Sequence, residues 1–132
     1  SETFTWNYDN HNFDALNRAD ILITDFSGII FDFALVFEKP VIYADTSFDP
    51  APYDAAWIEE PLWRFEVLKE LGKELKEEDF PKLRDLIENM LTDQTAKGAR
   101  QKVRNEAWQY IGESAKRTAD YMIDKYHELF GE

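Results

Sequence analysis

Ile21-Leu22-Ile23-Thr24-Asp25-Phe26-Ser27-Gly28 is the stretch that decides the fold. It opens as a short apolar run after Ala19-Asp20 and closes on a Ser-Gly turn, the pattern of a buried parallel strand. Ser27 to Lys39 follows as a predicted helix, with Ile29, Ile30, Phe31, Phe33, Ala34, Leu35, Val36 and Phe37 on every side. A helix this apolar all round must be covered on more than one face. Pro40 cannot continue it, and Pro40-Val41-Ile42-Tyr43-Ala44 reads as the next strand. Strand, helix and strand in one short span predict a βαβ unit with a right-handed crossover.

Working outward, Phe4-Thr5-Trp6 reads as an earlier strand and Asn12 to Arg18 as a short helix. Asp49-Pro50, Ala51-Pro52 and Glu60-Pro61 punctuate a long loop from Asp45 to Pro61 that carries Tyr53 and Trp57. A loop of that length usually lines a site or meets a neighbour. The remainder reads as helical. Leu62, Phe65, Leu68 and Leu71 share a face that stops at Gly72, and Asp79 caps a helix bearing Leu83, Leu86, Ile87, Met90 and Leu91. Helices from Thr95 to Tyr110 and from Glu113 to Phe130 complete the reading. The expected organisation is a single unit over residues 1–132, with a βαβ nucleotide-binding part over 1–60 and a helical part over 61–132. The fold class is α/β: a three-layer Rossmann-like domain with a small parallel sheet and a helical C-terminal tail.

Composition narrows the class of function. With 44% hydrophobic and 32% charged residues, the chain is globular rather than disordered. It has no cysteine, which removes disulfide frameworks and thiolate metal sites. No apolar run is long enough to span a bilayer, and the start lacks a signal-peptide layout, so a cytoplasmic setting is expected. The net charge is −12. Residues 1–60 hold twelve acids against only Arg18 and Lys39, which argues against nucleic acid as a partner. Lys97, Arg100, Lys102 and Arg104 form a local basic stretch, read as a solvated helix face or as a patch for a phosphate or an anionic membrane.

The chemistry is expected at the first strand-to-helix turn. Ligands of parallel α/β sheets bind beyond the carboxyl ends of the strands. A helix start there offers unpaired N–H groups and the positive end of a dipole, which suits a phosphate. Thr24, Asp25, Ser27 and Gly28 occupy that place. Ser27 has a hydroxyl to donate, and Gly28 admits close backbone approach. Asp32 is read as accepting the hydrogen bonds that fix the turn. The bland alternative is that Ser27 only caps its helix and Gly28 only turns the chain.

Asp14-Ala15-Leu16, the run from Ala19 through Asp25-Phe26-Ser27-Gly28 to Asp32-Phe33-Ala34-Leu35, and Lys39-Pro40-Val41-Ile42-Tyr43 together resemble the CDP-glycerol glycerophosphotransferase family. Gly112-Glu113-Ser114-Ala115-Lys116-Arg117 is similar to the segment that opens the family's last helix. The resemblance implies a glycosyltransferase-B-like fold, of which this would be the donor-binding part of the C-terminal lobe. It implies transfer of polyol phosphate from CDP-glycerol, or a related CDP-alcohol such as CDP-ribitol, to a lipid-linked, teichoic-acid-like acceptor at the inner face of the membrane. It further implies that Thr24, Asp25, Ser27 and Gly28, with Arg117 as a further candidate, hold the donor pyrophosphate without metal or cofactor. The family's second Ser is Gly28 here, which removes one hydroxyl. The family's catalytic histidines lie upstream, and His11 and His127 match neither. The chain is therefore read as part of a larger transferase whose N-terminal lobe lies elsewhere, with no catalytic residue of its own. A start at Ser1-Glu2 without Met fits a trimmed chain.

Competing chemistries are weaker. Phe31-Asp32-Phe33-Ala34 lacks the second acid of an aspartyl-nucleophile loop, and no ligand set surrounds Asp25. Trp57, Trp63 and Phe65 are candidates for stacking on cytosine or for packing. A nucleotide-sugar glycosyltransferase lobe, or a non-catalytic Rossmann-like docking module, are the alternative functions. Uncovered apolar positions on the crossover helix predict an exposed patch or a homo-oligomer contact.

Overall fold

The computed structural model describes residues 3–8, 11–25, 27–44, 57 and 62–131. Helix α1 (Phe13–Arg18) precedes strand β1 (Leu22–Thr24). The crossover then begins as α2 (Ile29–Phe31) and continues as a π-helix over Asp32–Val36. Strand β2 (Val41–Ala44) follows, then α3 (Trp63–Glu66), α4 (Leu68–Leu71) and strand β3 (Gly72–Leu75). A 3₁₀ turn over Glu77–Lys82 leads into α5 (Leu83–Thr92), α6 (Gln94–Ala107) and α7 (Ser114–Phe130). The three strands form an open parallel sheet in the order β1-β2-β3 with helices around it, as the α/β reading expects. Leu22, Ile23 and Thr24 pair with Val41, Ile42 and Tyr43, and Val41 to Ala44 pair with Gly72 to Leu75.

Side-chain alternation on β2 shows where the core lies. Val41 and Tyr43 join a buried cluster with Ile30, Phe33, Ala34 and Leu35 from the crossover, Val67, Leu68 and Leu71 around α4, and Val103 of α6. Ile42 points to the other sheet face and is also fully buried, whereas its partner Ile23 is 47% exposed. Each buried Leu, Ile, Val or Phe here contributes about 1.5–3 kcal/mol relative to exposure, so the crossover is the main anchor.

Several local features hold the crossover in place. Lys39 donates to the carbonyls of Asn17 (2.5 Å) and Ala19 (2.8 Å), closing the C-terminal end of α1 where a cation is favoured. Glu38 sits at φ 55°, a strained conformation for a residue with a side chain. Its carbonyl accepts from Arg100 Nε (3.2 Å) and its carboxylate pairs with Arg104 Nη1 (2.8 Å), which fixes it against α6.

Four sequence expectations are corrected. The crossover helix ends at Val36 rather than Lys39, because the chain leaves helical geometry at Glu38 before Pro40. Phe4-Thr5-Trp6 pairs with no strand among the described residues; Phe4 and Trp6 pack edge to face at 5.1 Å and stay exposed. The region after 61 is not all helix, because Gly72–Leu75 pairs with β2. Asp79 caps the 3₁₀ turn rather than α5 itself, accepting from the Lys76 N–H at 3.1 Å. The loop from Asp45 to Pro61 lies outside the described residues apart from Trp57, which is exposed.

Candidate functional site

The turn after β1 stands at the carboxyl end of the strand, where the sequence places it. Asp25 organises it. Its Oδ1 accepts the Ser27 N–H at 2.9 Å and the Thr24 hydroxyl at 3.3 Å. Ser27 Oγ accepts the Ile29 N–H at 3.3 Å, and the Ser27 carbonyl accepts the Ile30 N–H at 3.2 Å. The Ser27 hydroxyl therefore accepts from the first residue of the helix and still has its own proton to donate. The Gly28 carbonyl accepts the Phe31 N–H at 3.1 Å, while the Gly28 N–H has no partner among the described residues.

Gly28 has φ −58° and ψ −20°, values any residue adopts, so the turn itself does not require glycine. A Cβ added there would meet nothing within 4 Å. The absent side chain leaves open space beside an open amide. Asp32 does not fix the turn, contrary to the sequence expectation: it is exposed on the π-helix, and Asp25 makes those bonds instead. A groove of about 370 Å³ runs beside the turn, between α1 and the crossover, lined by Phe13, Leu16, Ile29, Asp32, Val36 and Phe37. Val36 within it is 45% exposed, so the expected uncovered apolar surface is present.

The basic residues considered for this site are engaged elsewhere. Arg100 is buried, its Nε bonded to the Glu38 carbonyl, and burial lowers its pKa against the opposing pull of Asp93 and Glu38. Arg104 pairs with Glu38, and Lys102 lies 3.6 Å from Glu70. The stretch from Lys97 to Arg104 is thus no open basic patch; half of it is an anchor for the crossover. Arg117 stands over the Tyr110 ring at 3.5 Å and 3.8 Å from Glu113, with no bond to the turn.

Trp63 donates from Nε1 to Glu106 (2.7 Å) and stacks on Phe31 with centroids 6.0 Å apart, while the side chain remains 37% exposed. Phe65 is half-buried against the core. His11 and His127 are exposed, the latter beside Tyr126. No group of three or more potential metal ligands occurs among the described residues. The described elements include no helix long and apolar enough to cross a membrane.

A small open parallel sheet with helices around it is the architecture of a Rossmann-like α/β fragment. The family model for CDP-glycerol:poly(glycerophosphate) glycerophosphotransferase matches residues 3–124, and the chain belongs to that family. Comparison with curated proteins and with solved structures finds no match.

Proposed function

We propose that this chain is the donor-binding portion of a glycerophosphotransferase, and that the turn formed by Thr24, Asp25, Ser27 and Gly28 receives the pyrophosphate of a CDP-alcohol. The family match carries this reading. The Gly28 amide, without a partner among the described residues, and the proton that the Ser27 hydroxyl still has to donate support it; a module that only docks a partner has no need of either. An acceptor hydroxyl attacks the β-phosphate of CDP-glycerol or CDP-ribitol, and CMP leaves. Catalysis is by positioning and electrostatic stabilisation of the transferred group. A histidine outside this chain removes the acceptor proton, and Arg117 reaches the donor only when α7 is repositioned. The parent has a glycosyltransferase-B-like architecture and works at the inner face of the membrane on a lipid-linked polymer.

Titration of CDP by calorimetry tests the site. Ser27→Ala is expected to weaken binding by about 1 kcal/mol, and by as much as about 3 if the bond is to a charged oxygen. Gly28→Val is expected to weaken it more. Because a Cβ at Gly28 meets no atom of the described residues within 4 Å beyond its chain neighbours, that loss reports a blocked ligand rather than a damaged fold. Binding is expected to fall with salt, since an acidic chain offers only a screened dipole. Two variants that bind CDP as the wild type does would place the donor elsewhere.

A further inference from the structure

We propose that the groove at the start of α6 binds a single phosphate group, held by the buried guanidinium of Arg100, the Lys97 ammonium and the Gln94 backbone N–H. The groove, of about 290 Å³, lies between the end of α5, the first turn of α6 and the Glu38-Lys39-Pro40 corner that leads into β2. It stands at the amino ends of β1 and β2, the opposite end of the sheet from the Ser27 turn, and does not depend on the donor site proposed above. Arg100 is what points to a ligand. It lines the groove and is 4% exposed, yet its Nη1 is buried without a hydrogen-bond partner among the described residues. Its Nε is already spent on the Glu38 carbonyl at 3.2 Å. A buried guanidinium N–H left without an acceptor is costly, and an oxyanion in the groove supplies one. Burial also disfavours the charged form of Arg100, which a further negative charge offsets.

The surroundings favour an anion. Lys97 lines the groove, exposed, with no hydrogen bond or ion pair among the described residues. Helix α6 is 14 residues long, and its cap Asp93 accepts from Thr95 and Ala96 at 2.8 and 3.2 Å. That leaves the Gln94 N–H unpaired among the described residues, at the positive end of the helix. Lys39 gives its hydrogen bonds to the carbonyls of Asn17 and Ala19, so they do not neutralise its charge. Of the carboxylates, Glu38 is paired with Arg104, Asp93 caps α6, and Asp20 is exposed. Lys39, Lys97, Arg100 and Arg104 outnumber these three acids by one, on a chain of net charge −12. Donors from three separate groups suit the three terminal oxygens of a phosphate better than the two of a carboxylate.

The test is an NMR titration of the 132-residue chain with inorganic phosphate, against chloride at matched ionic strength. Phosphate is expected to shift the Gln94 amide and the Arg100 guanidinium signals saturably, and chloride to leave them in place. Arg100 also holds Glu38, so its part is read in the wild type rather than by replacing it. Lys97→Ala is expected to weaken phosphate binding about two- to fivefold, the effect of one exposed ion pair, and Asp20→Asn to tighten it about twofold. Lys102→Ala, on the same helix but beside Glu70, is expected to leave it unchanged. A parallel titration with glycerol 3-phosphate separates the two sources of the group: tighter binding assigns the site to a phosphate ester, weaker binding to the free ion. Shifts that do not saturate, or that chloride reproduces, would overturn the proposal and leave Nη1 to water. Phosphate binding lost in Ser27→Ala but unchanged in Lys97→Ala would overturn it as well, by placing the anion at the turn after β1.

Discussion

Gly72→Ala is expected to destabilise the sheet that carries the turn, and its cost follows from one contact. A Cβ at Gly72 would lie 2.2 Å from the Val41 carbonyl oxygen and 2.9 Å from its carbon, where ordinary contact begins at 3.4 Å. Both atoms are backbone, and Val41 and Gly72 are ladder partners, so relief means parting β2 from β3. The φ of −160° is extended backbone open to any residue, which makes the effect purely steric. Overpacking of this kind costs about 1–3 kcal/mol, and a broken ladder hydrogen bond adds about 1. The stiffer unfolded chain returns about 0.4–1 kcal/mol. The net expectation is a loss of about 1–3.5 kcal/mol, read as a urea midpoint lower by roughly 0.5 M or more. Gly98→Ala is the control: it lies inside α6 with no atom within 4 Å, and should stabilise by about 0.5–1 kcal/mol. An unchanged midpoint for Gly72→Ala would refute the steric argument and the β2–β3 register with it.

The isolated chain is expected to transfer no glycerophosphate from CDP-glycerol; turnover above background in a radiolabel assay would show that it holds its own base. Burial, and secondarily Glu74, push the Tyr43 hydroxyl pKa above its ordinary value of 10.0. The folded state then holds that proton more tightly than the unfolded one, so stability is fully present below about pH 10 and is lost as pH rises through the raised value. Tyr43→Phe should flatten that alkaline limb of a denaturation series, and an unaltered limb would assign it to other groups. Ile23→Ser should reduce binding of an apolar-surface dye, since Ile23 is 47% exposed on the sheet; equal fluorescence would count against that face as the exposed patch.

The βαβ unit was legible because its signals are local and agree: an apolar run, a Ser-Gly turn, an all-apolar helix and a Pro before the next strand. Strand β3 was hidden for the opposite reason. Gly72-Lys73-Glu74-Leu75 has no β-branched residue and follows directly on a helical pattern, so only pairing with β2 makes it a strand. Gly72 read correctly as the end of a helix, but its small size serves the approach to Val41 instead. The basic stretch misled because its partner Glu38 is more than sixty residues away, beyond the reach of any spacing rule. At the turn, Ser27 and Gly28 were visible from position alone. The bonds that fix the turn were assigned to Asp32 and are made by Asp25, since both acids flank the turn and only coordinates show which one meets the Ser27 amide. The π-helix left no trace in the pattern, as one helix type shades into another without a change of composition.

Strands β1, β2 and β3 lie in the sheet in the order in which the chain delivers them. Closing the longer β2–β3 connection costs little more entropy than closing the shorter β1–β2 one, since each doubling of length adds only about 0.6 kcal/mol. Apolar gain therefore decides which forms first, and Ile30, Phe33, Ala34, Leu35 and Val41 all belong to the first unit. The folding nucleus is expected there, ahead of the docking of α6 on Glu38. Truncating Phe33 or Val41 should slow refolding, while truncating Leu71 or Val103 should mainly hasten unfolding. The turn at Ser27 and Gly28, sitting between β1 and the crossover, is on this reasoning expected to take shape with the nucleus, before the helical C-terminal part docks.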